Sequence, residues 1–409
     1  MEQKKTILKP EYRIFITICC SYVISGMFST LTSTLAAYFA GDVKMTPGIM
    51  GIFFSMGGVL TALAFTLPGR VVDKIGAKKA LIILLIGELT AVGLFGFARS
   101  SVGCMVFLSI HSLGTSMSVP INTQVLRAYK VENPSKLLRV NLVGSMVSGM
   151  VAAAIAAPLI EKSGLTWRQT FGVFFLISAV IAAIGFIFLF TVKGEVKGNG
   201  IVTNKEKNTP TSAESYQYTS AERRSCIALC LLYIGYMGVG IALSTWMPAY
   251  LQGKGFTGVQ VSLPNTVGKF AQLVSYLVLP TIFAKMLKSS KVTPFAALLL
   301  IVSVFGIMLP GSLTIISIAR GLLAVVMGFL SMHVQSDITI VAPSQASGRF
   351  SSTVLACANA GGVFAVIMMG YLNETLKLAM LIIFAVIAVI GALMFIKPCN
   401  EIKAIKAVE

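Results

Sequence analysis

Long apolar stretches separated by short polar ones dominate this chain. A helix needs about 20 apolar residues to cross a hydrocarbon core. With Gly, Pro and charge as punctuation, twelve such runs emerge, roughly 14–40, 47–69, 79–98, 101–127, 138–160, 168–191, 225–251, 258–284, 294–311, 313–340, 350–372 and 376–396. They predict an all-α membrane protein of twelve transmembrane helices. Most connections are short. The exception runs from Thr191 to Arg224, a polar stretch rich in Lys, Asn, Ser and Thr that cannot bury a core. It divides the chain into a first six-helix bundle at 1–192, a cytoplasmic linker at 193–223 and a second six-helix bundle at 224–409.

Composition sharpens this picture. Hydrophobic residues make up 56% of the chain and charged residues only 12%, about half the charged fraction of a soluble domain, so lipid is the expected solvent. The net charge of +18 raises the question of nucleic acid, but the cations sit in short loops between apolar runs. That is the positive-inside pattern, and it excludes a nucleic-acid partner. With the N-terminus inside, about 25 of the 33 Lys and Arg residues fall on the cytoplasmic side. The opposite side holds Lys44, Arg99, Lys162, Arg168, Lys254 and Lys377. Both termini are therefore expected in the cytoplasm, in a plasma membrane of the bacterial inner-membrane type. The segment before the first run lacks a cleavage site and reads as leading into a retained first helix rather than a signal peptide. The seven cysteines are scattered, mostly within apolar runs, and none has metal-ligand context.

Two features carry a family resemblance. Between the second and third runs lies LPGRVVDKIGAKKAL, Leu67 to Leu81, which holds Gly69, Asp73, Lys74, Gly76, Lys78 and Lys79. The glycines permit a tight turn, the cations hold it on the cytoplasmic side, and Asp73 can face the positive N-terminus of another helix. The second feature is an internal echo: Gly26 with Gly238, Ala37-Tyr38 with Ala249-Tyr250, Gly41 with Gly253, Leu67-Pro68 with Leu279-Pro280, and Ser109-Ile110 with Ser317-Ile318. Matches in order across the halves argue for a parallel duplication. The spacing G-x-x-x-D-K-x-G-x-K-K resembles the loop 2–3 signature of the major facilitator superfamily. The second half departs from it, with Lys285 where Asp73 lies. The resemblance implies a secondary transporter, of an organic-anion, cyanate-permease-like or oxalate/formate-antiporter-like kind. It also implies that Asp73 faces the start of span 11, near Ser347 to Ser352.

Charge inside a span is costly and usually functional. The interior acids are Glu88 and Asp337, the interior bases Lys269 and Arg320, and His111 and His333 are the two histidines. Lys269 lies about eleven residues into its run, ~16 Å deep at ~1.5 Å per residue, near the middle of a ~30 Å core. Its repeat mate is Gly57; that of Arg320 is approximately His111. In the superfamily, spans 1, 4, 7 and 10 line the central cavity with 2, 5, 8 and 11 beside them, which implies that Lys269, Arg320 and His111 face it. Two cations there suit an anion, Arg as a fork matching a carboxylate and Lys as a movable point charge. The competing readings are a structural pair for Lys269, a gate pair for Arg320 and a packing histidine for His111. Asn265, Asn359, Tyr22 and Tyr233 are further substrate-binding candidates; Asn122, Gln124, Gln272, Tyr236 and Trp246 stand beside them, with helix glue or an interfacial belt as the other explanation. Glu88, His333 and Asp337 are candidates for proton coupling or gating. His333 and Asp337 share a helix face at i, i+4.

No nucleophile–base set, phosphate loop or metal cluster is present, so neither an enzyme nor a cofactor is expected. Two repeats with few buried charges favour alternating access over a channel pore. The expected activity is transport of a small, carboxylate-like organic anion by proton symport or anion exchange, with a monomer as the working unit. The rival is a proton-coupled multidrug or metabolite exporter. Span 5 lacks the exporter G-P pair, and His111 is near, not on, the position of the exporters' span 4 arginine.

Overall fold

The computed structural model describes residues 10–64, 75–128, 134–192, 217–257, 259–282, 291–309, 311–343 and 347–408. Thirteen helices occur among them: α1 (Pro10–Thr34), α2 (Ala36–Asp42), α3 (Pro47–Ala64), α4 (Ala77–Phe95), α5 (Ser101–Ala128), α6 (Pro134–Glu161), α7 (Trp167–Phe190), α8 (Ser220–Gly253), α9 (Val259–Ile282), α10 (Val292–Met308), α11 (Leu313–Val341), α12 (Ser347–Tyr371) and α13 (Glu374–Val408). Seven are long and apolar enough to cross a membrane, and three further apolar helices are shorter. Gly69, Asp73 and Lys74 lie outside the described residues, as do the side chains of Asn122 and Gln124.

Helix boundaries follow local chemistry. Thr166 and Thr219 open α7 and α8 with capping boxes, pairing with Gln169 and Glu222 three residues on, which satisfies backbone N–H groups left over in the first turn. Ser312 accepts from Ile315 N at the start of α11. Gly76, at φ 87°, turns the chain into α4 with a backbone geometry that side chains resist. Two cations close the end of α7: Arg13 donates to Thr191 O at 3.0 Å and Lys78 to Val192 O at 2.9 Å, a favourable use of positive charge at a helix C-terminus.

Short turns around residues 43–46, 96–100, 162–166, 254–257, 311–312 and 372–373 gather at one end of the bundle, here the short-turn end. The opposite, termini end carries the first and last helix ends. At the short-turn end Asp42 accepts from Trp167 Nε1 at 3.0 Å and pairs with Arg168, whose other nitrogen donates to Ala98 O at 3.1 Å. The Trp167 and Arg168 donors hold the Asp42 carboxyl below its ordinary range. Beneath this latch, Phe28, Phe39, Phe53, Phe95, Trp167 and Phe171 pack mostly edge to face, the arrangement aromatic quadrupoles favour.

The packing pattern recurs. α1 packs on α6 and α7, α3 on α5, and α4 on α5 and α7; correspondingly α8 packs on α12 and α13, α9 on α11, and α10 on α11 and α13. The first six long helices meet the second six along two seams, α3 against α12 and α6 against α9. The α3–α12 seam is a backbone contact. A methyl at Gly370 would stand 2.4 Å from Pro47 O, and one at Gly51 2.8 Å from Ile367 O, so only glycine lets these helices touch.

Candidate substrate cavity

Between the two sets of helices, midway along the bundle, lies a cavity of ≈ 380 Å³. Its wall is chemically lopsided. The first set contributes hydroxyls and open space: Ser25, Ser29, Thr30 and Ser33 from α1, Gly57 and Gly58 from α3, and His111, Ser112 and Thr115 from α5. The second set contributes Ser244 and Thr245 from α8, Asn265 and Lys269 from α9, Arg320 from α11 and Asn359 from α12. Thus Lys269, Arg320, His111, Asn265 and Asn359, from four different helices, converge on one space. Gly57 lines the cavity that Lys269 enters, so the small member of the repeat pair leaves room for the long one.

The lining, among the described residues, holds two cations and no carboxylate. Among the described residues, neither Lys269 nor Arg320 forms an ion pair. Arg320, only 4% exposed, is fixed from two sides: its Nη2 donates to Ser244 Oγ at 3.0 Å and its Nε to Asn265 Oδ1 at 3.4 Å. A guanidinium has five N–H donors, so these two bonds orient it and leave donors for a ligand. Gly268 is its seat. A methyl there would lie 2.9 Å from Arg320 Cζ and Nη1. Gly268→Ala is therefore expected to push the guanidinium aside, because the group displaced is the end of a flexible side chain rather than backbone. Ligand affinity should fall about tenfold or more, with a melting temperature close to that of wild type. Titration calorimetry alongside a thermal melt checks both halves of that expectation. Lys269 lies against α6, where a methyl at Gly149 would be 3.7 Å from its Cε.

The other residues singled out by the sequence sit elsewhere. Tyr22 packs with Ile14, Ile18 and Leu84 in a smaller apolar cluster nearer the termini end. Tyr233 packs on Tyr236, ring centroids 5.0 Å apart. His333 and Asp337 form a buried pair, Nδ1 to Oδ2 2.8 Å, with Thr293 Oγ1 3.4 Å from His333 Nε2; this cluster ties α10 to α11. Glu88 is buried between α4, α1 and α5. The His111 ring lies 4.4 Å from that of Phe28, and its Nδ1 has no hydrogen-bond partner among the described residues.

Several lining groups escape a search for buried charge. The hydroxyl run Ser29–Thr34 was visible as STLTST, and its density on one span is the signal that could have found it. Two aromatics were also missed as a pair. Phe54 lines the central cavity, whereas Trp246 lines a second one of ≈ 460 Å³ at the short-turn end, with Tyr250, Lys254, Glu374 and Lys377. Their rings meet edge-on at 6.2 Å, and Trp246 Nε1 donates to Val366 O at 3.1 Å. These two rings stand between the two chambers.

Comparison with known proteins settles what this architecture is. The family model of the Major Facilitator Superfamily matches residues 18–366. The chain belongs to the major facilitator superfamily. It is accordingly a multi-pass membrane transporter and not an enzyme. Among curated relatives, this superfamily member is 23% identical to the D-galactonate transporter of Escherichia coli O6:H1, across 96% of this chain and 95% of that one. It is also 23% identical to the probable sulfoacetate transporter SauU of Cupriavidus necator, over 66% of this chain and 64% of the relative. Of solved structures, the nucleoside transporter NupG superposes with a TM-score of 0.67 at 14% identity, covering 96% of this chain and 99% of that one. An inward-facing, unoccupied bacterial homologue of the human lysosomal transporter Spinster gives 0.68 at 14% identity, with the same coverage. These structural likenesses speak for the fold.

Proposed function

We propose that this transporter moves a small organic anion bearing a carboxylate-like group, held in the central cavity by Lys269 and Arg320. One observation carries the reading: two cations face one largely buried space whose lining, among the described residues, offers no carboxylate. Uncompensated charge in a low-dielectric cavity is unfavourable, and an anion is its natural complement. A fork and a point charge together fit a carboxylate or a sulfonate. The two curated relatives, named for galactonate and sulfoacetate, support the same substrate class. The exporter reading gains no such support.

In this reading the chain forms twelve spans in two six-helix bundles, 1–192 and 224–409, joined by a cytoplasmic linker at 193–223. Both termini lie in the cytoplasm of a cell expressing it in its plasma membrane, so the short-turn end faces outward. The bundles rock about the cavity as a monomer, by proton symport or anion exchange. The α3–α12 seam and the Phe54–Trp246 pair would then close the outer side while the cavity communicates inward. Asp73, with Lys74 and the rest of the loop signature, would steady the closed inner side. The test is direct binding to purified protein in detergent. D-galactonate or sulfoacetate should bind, more weakly as salt rises, whereas galactose and the lipophilic cation tetraphenylphosphonium should not. Binding of the cation in preference to both anions would overturn the assignment.

A further inference from the structure

Glu88 is a buried carboxyl that lies outside the central cavity. It projects from the middle of α4 and is 0% exposed. Both of its oxygens lack a hydrogen-bond partner among the described residues. Across from it on α1 stands Ser21, whose hydroxyl lies close to the carboxyl but outside hydrogen-bond geometry among the described residues. On α5 the neighbour is Gly114: a methyl there would lie 3.8 Å from Glu88 Cγ. The remaining contacts of this helix are with α7.

The titratable and charged groups on these elements are few. α1 carries Glu11, Tyr12 and Arg13 at the termini end and Cys19, Cys20 and Tyr22 beyond them; α5 carries Cys104, His111 and, in its last turn, Arg127; α7 has Arg168 at the short-turn end; α4 itself has Lys78 and Lys79 at its start. None of them forms an ion pair with Glu88 among the described residues. An ionised carboxylate in this place would have no counter-charge and at most the Ser21 hydroxyl as donor, a costly state in an apolar bundle. The neutral acid has no such cost, and its proton can be given up only when rearrangement brings in water or a donor.

The location ties that event to the cavity. Gly114, against Glu88, lies on α5 between His111, Ser112 and Thr115, which face the cavity. A single turn of α5 is therefore all that separates the carboxyl from the ligand space, and His111 Nδ1 on that turn has no hydrogen-bond partner among the described residues. From this geometry we infer that Glu88 is the proton-binding site of the transport cycle, so that one proton crosses with each turnover as the Glu88 carboxylic acid. The step makes and breaks only the O–H bond: the carboxylate takes a proton from water on one side and releases it to water on the other. This rests on the anion reading above and deepens it, because it selects proton symport over anion exchange.

Two measurements test it separately from the anion site. Infrared difference spectra of the purified protein, recorded between acidic and alkaline buffer, should show a protonated-carboxyl band that titrates in wild type and is missing in Glu88→Gln. This readout needs no ligand. In proteoliposomes loaded with D-galactonate or sulfoacetate, Glu88→Gln should keep anion exchange within about threefold but lose at least tenfold of the accumulation driven by an inward proton gradient, since a permanently neutral amide mimics the loaded acid. A band that persists in Glu88→Gln or does not titrate, or driven accumulation equal to wild type, would overturn the assignment. So would loss of exchange in Glu88→Gln along with accumulation, which would make the residue structural. Failure of the wild type to handle either anion would strike the cavity reading instead, and the infrared titration would still decide Glu88.

Discussion

Replacing Arg320 with alanine is expected to weaken anion binding by about 30-fold to several thousandfold. Truncating one member of a buried, hydrogen-bonded charge pair typically costs 2–5 kcal/mol, at about 1.4 kcal/mol per tenfold. Arg320 belongs at the upper part of that range because it is held before the ligand arrives: Ser244 and Asn265 fix the fork from α8 and α9, so little ordering entropy is lost on binding. The fold should tolerate the change. Ser244 Oγ and Asn265 Oδ1 both line the cavity, where water can take the place of the guanidinium. Arg320→Lys separates charge from shape. It keeps the cation but loses the planar fork and one of its two anchors, so it should recover only part of the affinity. Titration calorimetry with D-galactonate and sulfoacetate, on protein with a monodisperse profile, reads both variants. Affinity of Arg320→Ala within twofold of wild type would assign the residue to a gate or a helix tie.

What could be read from the sequence followed the strength of the physical constraint. Apolar runs were legible because lipid admits no exposed backbone polar group, so each crossing must be one long helix. The run at 47–69 and α3 begin at the same proline, and the run at 168–191 and α7 differ by one residue at each end. Lys269 and Arg320 were legible because a cation within such a run is too costly to be incidental. The hydroxyl wall was not. Ser and Thr hydroxyls can bond back to their own helix, as Ser112 does to Leu108 O and Ser33 to Thr30 O, so they are cheap anywhere along a span and the sequence does not mark those that face a ligand. Nor was the Phe54–Trp246 partition legible, since its partners come from opposite sets of helices. Gly268 reads in the sequence as one more small residue; only the position of the Arg320 guanidinium shows what its missing side chain makes room for. Tyr22 and Tyr233 illustrate the converse. Both lie on cavity-forming helices, but nearer the termini end, where apolar neighbours and another tyrosine surround them.

Lys269 should separate the anion transporter from its rival most sharply. Its ammonium enters the cavity across from Gly57, its stem lies against α6, and no carboxylate among the described residues shares its charge. An anionic ligand would find there a cation poorly solvated by the protein, and would lose that partner in Lys269→Ala. The expected loss is again on the order of 2–5 kcal/mol, provided the anion spans both cations. Lys269→Arg should retain part of the affinity with altered selectivity, because a planar fork replaces a compact ammonium and would crowd Arg320. A double variant sharpens the result. If Lys269 and Arg320 grip the same ligand, Lys269→Ala with Arg320→Ala should cost less than the sum of the single losses, since each single variant already forfeits the shared geometry. For a carrier of cationic or neutral compounds, removing a repelling charge from the cavity should leave binding intact or improve it. Counterflow of D-galactonate and sulfoacetate, set beside tetraphenylphosphonium binding, distinguishes these outcomes in one series of wild type, Lys269→Ala, Lys269→Arg and the double variant. Equal anion affinity in wild type and Lys269→Ala, on well-folded protein, would take the anion site away from the central cavity.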